Sequence, residues 1–240
     1  MRDYYCLVKQ LRIHVNKTGT NANISPSLLT EVVGRNFGGS EELSKFALET
    51  FQSTCFTQNQ RPEPVPVRSL IRANLSDKSA RHLMILTANG AALPILFGSG
   101  LITERESTVL IGSEFKEDAS ELHLIQQINE VKTAMATGST IVLLNHDQIY
   151  EALYDVLNQR FLYKRDQKTG KTTKLLRLAI GSRSQLCYVA DGFRIIVVVE
   201  QSHAYQNLDL PLLNRFAFSQ ILFDFSSVSK FVLQRPCVLV

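Results

Sequence analysis

The sequence predicts an α/β protein in which a mostly parallel sheet is flanked by helices and preceded by a small all-α domain. Apolar runs of strand length alternate with helical patterns over much of the chain, as they do in parallel sheets with crossover helices. Two of these runs, residues 140–144 and 193–200, are apolar on both faces, as central parallel strands are. Residues 1–57 carry only helical periodicity, and a proline-rich stretch separates them from the rest.

The first 57 residues predict three helices. Ser25 and Pro26 begin the second of them, because serine caps a helix and proline suits its first position. The glycines at residues 38 and 39 end it. Helical spacing defines the predicted buried faces of the first helix (Tyr4, Leu7, Val8 and Leu11) and of the third (Leu43, Phe46, Ala47 and Phe51).

Residues 58–66 predict a linker. Three prolines in this short stretch favour extended backbone and remove amide donors, so the domain boundary is expected here.

Residues 67–225 predict the α/β core. Glu121 begins its best-supported helix, which carries a continuous apolar face, and Gly138 ends it. Strands are expected at residues 82–87, 108–112, 140–144, 193–200 and 220–225, helices at 91–97, 121–136, 148–159 and 210–216, and a hairpin joins 175–180 to 186–189. Residues 226–240 lack a clear period, and we expect a truncated or atypical tail on a fragment of a longer protein.

Composition indicates a globular protein of the reducing cytoplasm. Hydrophobic residues make up 45% and charged residues 20% of the chain, and the net charge is +4. The basic residues are scattered apart from a cluster at 164–174, which we interpret as a solvated loop, so no nucleic-acid partner is expected. The 4 cysteines are far apart, which argues against a zinc site or a disulfide framework. No apolar run is long enough to span a membrane.

The turn after the first core strand is a poor phosphate-binding loop. Such a loop needs several glycines that expose backbone amides, followed by a lysine that reaches the terminal phosphates. Here the position holds Asn89 and Gly90, with one glycine and no lysine. Gly170-Lys171-Thr172 matches the Gly-Lys-Thr end of a phosphate-binding loop. However, the glycine required five residues earlier is replaced by Arg165, and no apolar strand precedes this segment. The sequence therefore predicts a degenerate nucleotide site.

Asn145 and His146 follow the third core strand, at a Walker-B-like position. In an ATP-hydrolysing motor this strand ends in Asp-Glu, which positions magnesium and the attacking water. His146 could act as a general base near neutral pH. The alternative, which we favour, is that both residues cap a helix beginning near Gln148, with Asp147 at the positive end of its dipole.

Two further charged residues occupy positions that matter in such motors. Glu200 ends the fourth core strand, where a polar sensor of the terminal phosphate is expected, and a carboxylate there would repel phosphate. It either binds a neighbouring cation or is solvated. Arg215 lies after that strand, where an arginine can reach the ATP of an adjacent module in trans. A salt bridge is the alternative for Arg215.

Several short sequences resemble the mysterin family of giant AAA+ RING-type E3 ubiquitin ligases. DGFRI at residues 191–195 and PLLNRF at 211–216 follow the layout of AAA+ modules of the dynein and midasin type. The more specific sequences are RDYY at 2–5, RNFGG at 35–39, IGSEF at 111–115, INEVK at 128–132, VLLN at 142–145 and IYEALYDVLNQ at 149–159. The resemblance covers most of residues 1–217.

The resemblance implies that residues 1–57 are the helical lid of one AAA+ unit and that residues 67–225 are the degenerate core of the next. It implies ATP and magnesium in neighbouring units, zinc in a RING elsewhere, and no cofactor or metal in this segment. Its partners would be neighbouring AAA+ units of the same chain, with ubiquitin and its conjugating enzyme reached only through the full-length protein. Whether the segment is itself an enzyme stays open.

The main hypothesis is therefore a nucleotide-incompetent unit with a structural or coupling role, in which Arg215 serves an adjacent ATP. One rival is an active ATPase module with a non-standard phosphate loop. The other is a pure scaffold in which neither ATP nor Arg215 matters.

Overall fold

A computed structural model describes residues 2–18, 24–38, 41–55, 65–87, 92–113, 115, 120–165, 167, 170, 172–180 and 183–221. The described helices are α1 (Arg2–Thr18), α2 (Pro26–Phe37), α3 (Glu41–Cys55), α4 (Val67–Ser76), α5 (Ala92–Gly98), α6 (Glu121–Thr137), α7 (Tyr154–Leu157), α8 (Gln201–Asn207) and α9 (Leu210–Leu213). The strands are β1 (Leu83–Thr87), β2 (Ser107–Ile111), β3 (Thr140–Leu144), β4 (Leu162–Arg165), β5 (Thr172–Ile180), β6 (Arg183–Tyr188), β7 (Arg194–Glu200) and β8 (Ala217–Ile221). Short 3-10 turns cover Glu104–Glu106 and Asp147–Ile149.

The main sheet is parallel, in the order β2-β3-β7-β1-β8. Its central strand β7 is buried at every position except the last, because helices cover both of its faces. The predicted α/β class and the parallel sheet are confirmed.

The core lies on both faces of this sheet. Alternate residues of β1 point to opposite sides, so Met84 packs with α6 and the region after β3, whereas Ile85 packs with α4 and α5. Ser120 caps α6 by accepting the N–H of His123, and Gly138 ends it at φ 80°, where glycine is strain-free. Both ends of this predicted helix are confirmed within one residue.

The N-terminal helices form a small core of their own. Leu7, Leu29, Val32, Val33 and Ala47 are buried in it. Ser25 caps α2 by accepting the N–H of Leu28, as predicted. The expected buried faces of the first and third helices are partly wrong, because four of their members are largely exposed, namely Tyr4, Val8, Leu43 and Phe46.

Two ion pairs fasten these helices to the core. Arg35 of α2 donates to the carboxylate of Asp77 at 2.8 Å. Arg81, before β1, donates to Asp3 of α1 at 2.5 Å and also to the carbonyl of Asn214. The helix α2 also packs against α4 and β8, so the helical domain lies against the β8 edge of the sheet. Residues 56–64, most of the predicted linker, lie outside the described residues, and the domain boundaries stay a prediction.

A second sheet, β4-β5-β6, is antiparallel. The predicted hairpin is confirmed, with Leu175 opposite Tyr188. The interpretation of residues 164–174 as a loop is partly wrong, because the end of β4 and the start of β5 lie within them.

Two other predictions about the core need correction. The helix expected over 148–159 is a 3-10 turn followed by the short α7. The last strand begins at Ala217 instead of residue 220, and residues 222–225 of the predicted strand lie outside the described residues. The helices α4 and α8 were not predicted. Residues 226–240 lie outside the described part of the chain. No helix among the described residues is long and apolar enough to cross a membrane.

Candidate functional site

The candidate site is the edge of the main sheet at which its parallel strands end. Ligands of open α/β sheets bind outside the carboxyl ends of the strands. The strand register brings Thr87, the last residue of β1, next to Glu200, the last residue of β7. Leu144, which ends β3, lies on the other side of β7, opposite Val198. The strand end that precedes the predicted phosphate loop, the sensor position and the strand end before the Walker-B-like pair therefore lie at one edge of the sheet.

The phosphate-loop position begins directly after Thr87. Asn89 and Gly90 themselves lie outside the described residues, so their predicted degeneracy is not tested by the structure. Glu200 is half-buried beside Thr87, and its side chain does not cap α8, which begins at the next residue. Glu200 thus ends the strand next to β1, after which the predicted phosphate loop begins.

The turn after β3 is shaped by Asn145 and Gly112. Asn145 has a φ of 47°, in the left-handed region that asparagine tolerates better than most residues, and its N–H donates to the carbonyl of Val198 at 3.0 Å. Gly112, just after β2, donates its N–H to the carbonyl of Leu144. A Cβ at Gly112 would lie 1.9 Å from the carbonyl oxygen of Asn145. The bend at the Walker-B-like position is therefore packed directly on a glycine backbone.

His146 points into the protein. Its ring is 2% exposed, and its Nε2 lies 2.7 Å from Oε1 of Gln127, a buried residue of α6. Because that oxygen only accepts, Nε2 carries the proton and donates it. Burial, with the nearby His123 as a further cause, lowers the pKa of His146 below its usual value. The side chain is a neutral hydrogen-bond donor to α6.

This geometry corrects the predicted capping role of Asn145 and His146. The Asp147–Ile149 turn that follows has no side-chain cap at His146, and no regular helix begins at Gln148. Gln127 was not singled out in the sequence, because it is 19 positions earlier and its amide is one of many on α6.

Asp147 forms an ion-pair contact with His203, which was not predicted from the sequence either. Its carboxylate oxygen lies 2.5 Å from Nε2 of His203 in α8. Asn207 donates its side-chain amide to Nδ1 of the same ring at 2.8 Å, which leaves the proton on Nε2. The carboxylate nearest the end of β3 is therefore engaged with α8. No group of three or more potential metal-binding residues occurs in the described ranges.

The guanidinium of Arg215 stacks on an aromatic ring. The residue is 7% exposed, and its guanidinium carbon lies 3.8 Å from the ring centroid of Tyr154 at the start of α7. Such a cation–π contact is worth about 0.5–2 kcal/mol. No carboxylate pairs with Arg215 among the residues described. The predicted salt-bridge alternative is therefore replaced by stacking.

Comparison with known proteins gives consistent matches. Residues 72–227 match the family described as RNF213 AAA domain. The chain is 31% identical over 227 residues to the E3 ubiquitin-protein ligase RNF213 of Homo sapiens and 32% identical over 226 residues to that of Mus musculus. It is 34% identical over 227 residues to the E3 ubiquitin-protein ligase rnf213-beta of Danio rerio. Each alignment covers 90% of this chain but 4% of the relative, so the chain spans a small part of their length.

Proposed function

We propose that this chain, which belongs to the RNF213 (mysterin) AAA domain family, is a nucleotide-incompetent unit with a structural or coupling role. In this proposal it lies in the motor region of a large cytoplasmic E3 ubiquitin-protein ligase and packs against neighbouring AAA+ units of the same polypeptide. ATP and magnesium belong to those neighbours, and zinc belongs to a RING elsewhere. Ubiquitin and its conjugating enzyme are partners of the whole ligase.

The orientation of His146 is the observation that carries the proposal. The Walker-B-like position needs a carboxylate directed toward the phosphates, and it holds a buried, neutral imidazole that donates to Gln127. Asn145, at the preceding position, supplies no charge for a magnesium ion, and Asp147 is bound to His203. Hard cations such as Mg²⁺ are held by carboxylates and phosphate oxygens, so this edge of the sheet is poorly equipped to recruit one.

The first prediction concerns magnesium-ATP. Titration of the 240-residue chain with ATP in a calorimeter is expected to give no saturable heat that depends on Mg²⁺, because the described strand ends offer no free carboxylate pair. Micromolar, magnesium-dependent binding that is lost on changing Asn145 or His146 would instead identify an active module with a non-standard phosphate loop. Circular dichroism of each sample checks that the chain is folded.

The second prediction concerns Arg215. For a role in trans, its guanidinium has to leave the Tyr154 ring and reach the ATP of an adjacent unit. In a full-length ligase that carries this segment, Arg215→Ala is then expected to lower ATP turnover at least about tenfold, since arginines of this kind contribute large factors to phosphoryl transfer.

Tyr154→Leu is the matched control for this experiment, because it removes the ring and leaves the guanidinium. A trans-acting arginine predicts a loss of turnover in Arg215→Ala and nearly normal turnover in Tyr154→Leu. Equal losses in both variants would assign Arg215 to packing within the chain. Normal turnover in both, together with no nucleotide binding, would favour the pure scaffold.

A further inference from the structure

A cavity of about 500 Å³ opens at the opposite edge of the main sheet, where β1 and β7 begin. The helical domain, the turn before β1, the small sheet and the turn before β7 each supply part of its wall. Its charged and aromatic lining includes Lys9, Lys78, Tyr163, Lys174, Asp191 and Arg194. The volume is in the range of small-molecule sites, which measure roughly 300–1,000 Å³.

The lining is strongly cationic. Four basic side chains face one carboxylate, that of Asp191. Among the described residues, no carboxylate comes within ion-pair distance of the ammonium groups of Lys9, Lys78 or Lys174. Lys174 instead lies over the ring of Phe161, at 3.8 Å from its centroid. The cavity therefore gathers positive charge that the described part of the chain leaves largely unpaired.

Arg194 fixes one corner of this cavity. Its guanidinium donates to the carbonyl of Ala80 at 2.7 Å and to the carbonyl of Asp77. Carbonyl oxygens orient the side chain but leave its net charge intact, so Arg194 still contributes a full positive charge. Burial lowers the pKa of Lys174, whereas the nearby carboxylate of Asp191 acts in the opposite direction and the charge of Arg194 is a smaller further cause of the lowering.

We propose that this cavity binds a compact small molecule bearing at least two phosphate groups. Phosphates are the anions best matched to several lysines that converge from different segments, because each ammonium can contact a separate oxygen. Lys9 comes from α1, Lys78 from the turn before β1 and Lys174 from β5. Four basic side chains and one carboxylate leave three positive charges, more than the about one to two negative charges of a single phosphate. A ligand with at least two phosphates would join the helical domain, the core and the small sheet. The site is separate from the strand ends considered above for magnesium-ATP.

The test uses inorganic tripolyphosphate as the probe, with the 240-residue chain and with EDTA to remove divalent cations. Calorimetry is expected to show saturable binding of one molecule per chain. Replacing both Lys9 and Lys78 by alanine is expected to weaken it at least tenfold. Both side chains are exposed, so their truncation leaves the core intact. Binding should also raise the thermal midpoint of the original chain but not that of the double variant.

Lys45→Ala combined with Arg105→Ala is the matched control, since both residues are exposed, carry the same total charge and lie outside the cavity. Unchanged affinity in this control supports a defined site. Equal weakening in the two double variants would reduce the effect to overall charge and overturn the proposal, as would the absence of saturation. Magnesium-dependent ATP binding that survives loss of Lys9 and Lys78 would contradict the nucleotide-incompetent role and leave the tripolyphosphate result standing.

Discussion

Gly112→Ala is expected to destabilise the chain severely. The new Cβ would lie 1.9 Å from the carbonyl oxygen of Asn145 and 2.7 Å from two further backbone atoms of the same turn. Backbone atoms cannot rotate away as a flexible side chain can, so either β2 or the bend after β3 must move. Overpacking of this kind costs about 3 kcal/mol. For a chain of this size, we expect the thermal midpoint to fall by roughly 10 °C.

Gly98→Ala is the control for this variant. A Cβ at Gly98 meets nothing within 4 Å, and the residue ends α5 with an ordinary backbone conformation. Alanine is there expected to be neutral or slightly stabilising, because it favours helix more than glycine does. Thermal unfolding followed by circular dichroism compares the two variants. A midpoint for Gly112→Ala within 2 °C of the control would show that the turn at Asn145 can relax at little cost.

The sequence predicted those parts of the fold in which one periodicity dominates. The strands β3 and β7 are short with continuous apolar centres, and α6 combines an apolar face with a serine cap and a glycine terminator. In each, local preference and burial favour the same structure, so the pattern is sufficient.

The errors arose where burial and backbone geometry diverge. Ile149, Leu153, Val156 and Leu157 are all buried, as one face of a helix over 148–159 would be, yet their backbone is a 3-10 turn and one short helix. A side-chain pattern specifies the buried face but leaves the exact path between buried residues open.

The small sheet shows the opposite difficulty. All four residues of β4 are exposed, so no alternation marks it as a strand. Its order comes from backbone pairing with β5, whose residues follow after a polar and basic stretch. Sequence alone therefore favoured a loop.

The position of the candidate site was predictable, but its chemistry was less so. That Asn145 and His146 follow a core strand is plain from the sequence. The contacts at this position depend on the tertiary arrangement. His146 turns toward Gln127, and Asp147 binds His203 at a separation of 56 positions. The structure thus changes the role of His146 from a helix cap to a buried hydrogen-bond donor.

Acidification is expected to destabilise the chain through His82, a residue that the sequence did not single out. The ring is buried between β1, β7 and the end of α7, and its Nδ1 accepts the N–H of Ile195 at 3.1 Å. The Nε2–H therefore donates to the carbonyl of Val156 at 3.2 Å. Both ring nitrogens are used by the neutral form, and protonation would turn the acceptor into a donor facing an N–H.

Burial, with the charges of Arg194 and Lys174 as further causes, lowers the pKa of His82 from 6.5 to about 3. In the unfolded chain the pKa returns to about 6.5. Below that pH the ring is protonated in the unfolded state but stays neutral in the folded state. The free energy of unfolding therefore falls as the pH drops from 6.5 toward 3. The slope rises from about 0.7 kcal/mol per pH unit at pH 6.5 to about 1.4 near pH 5, which amounts to about 1.6 kcal/mol between pH 6.5 and 5.

His82→Gln isolates this contribution, because His146 also has a lowered pKa and adds a slope of the same sign. The variant should be less stable than the original chain at pH 7. Because glutamine is neutral at every pH and can still donate to Val156, the free energy of unfolding of the variant should fall less steeply on acidification. Urea unfolding at pH 7, 6 and 5 measures the difference, and His14→Gln, on the exposed side of α1, serves as the control. If the free energy of unfolding falls equally steeply with decreasing pH in His82→Gln and His14→Gln, His82 does not contribute to the pH dependence. Its ring would then be already protonated in the folded chain or accessible to water.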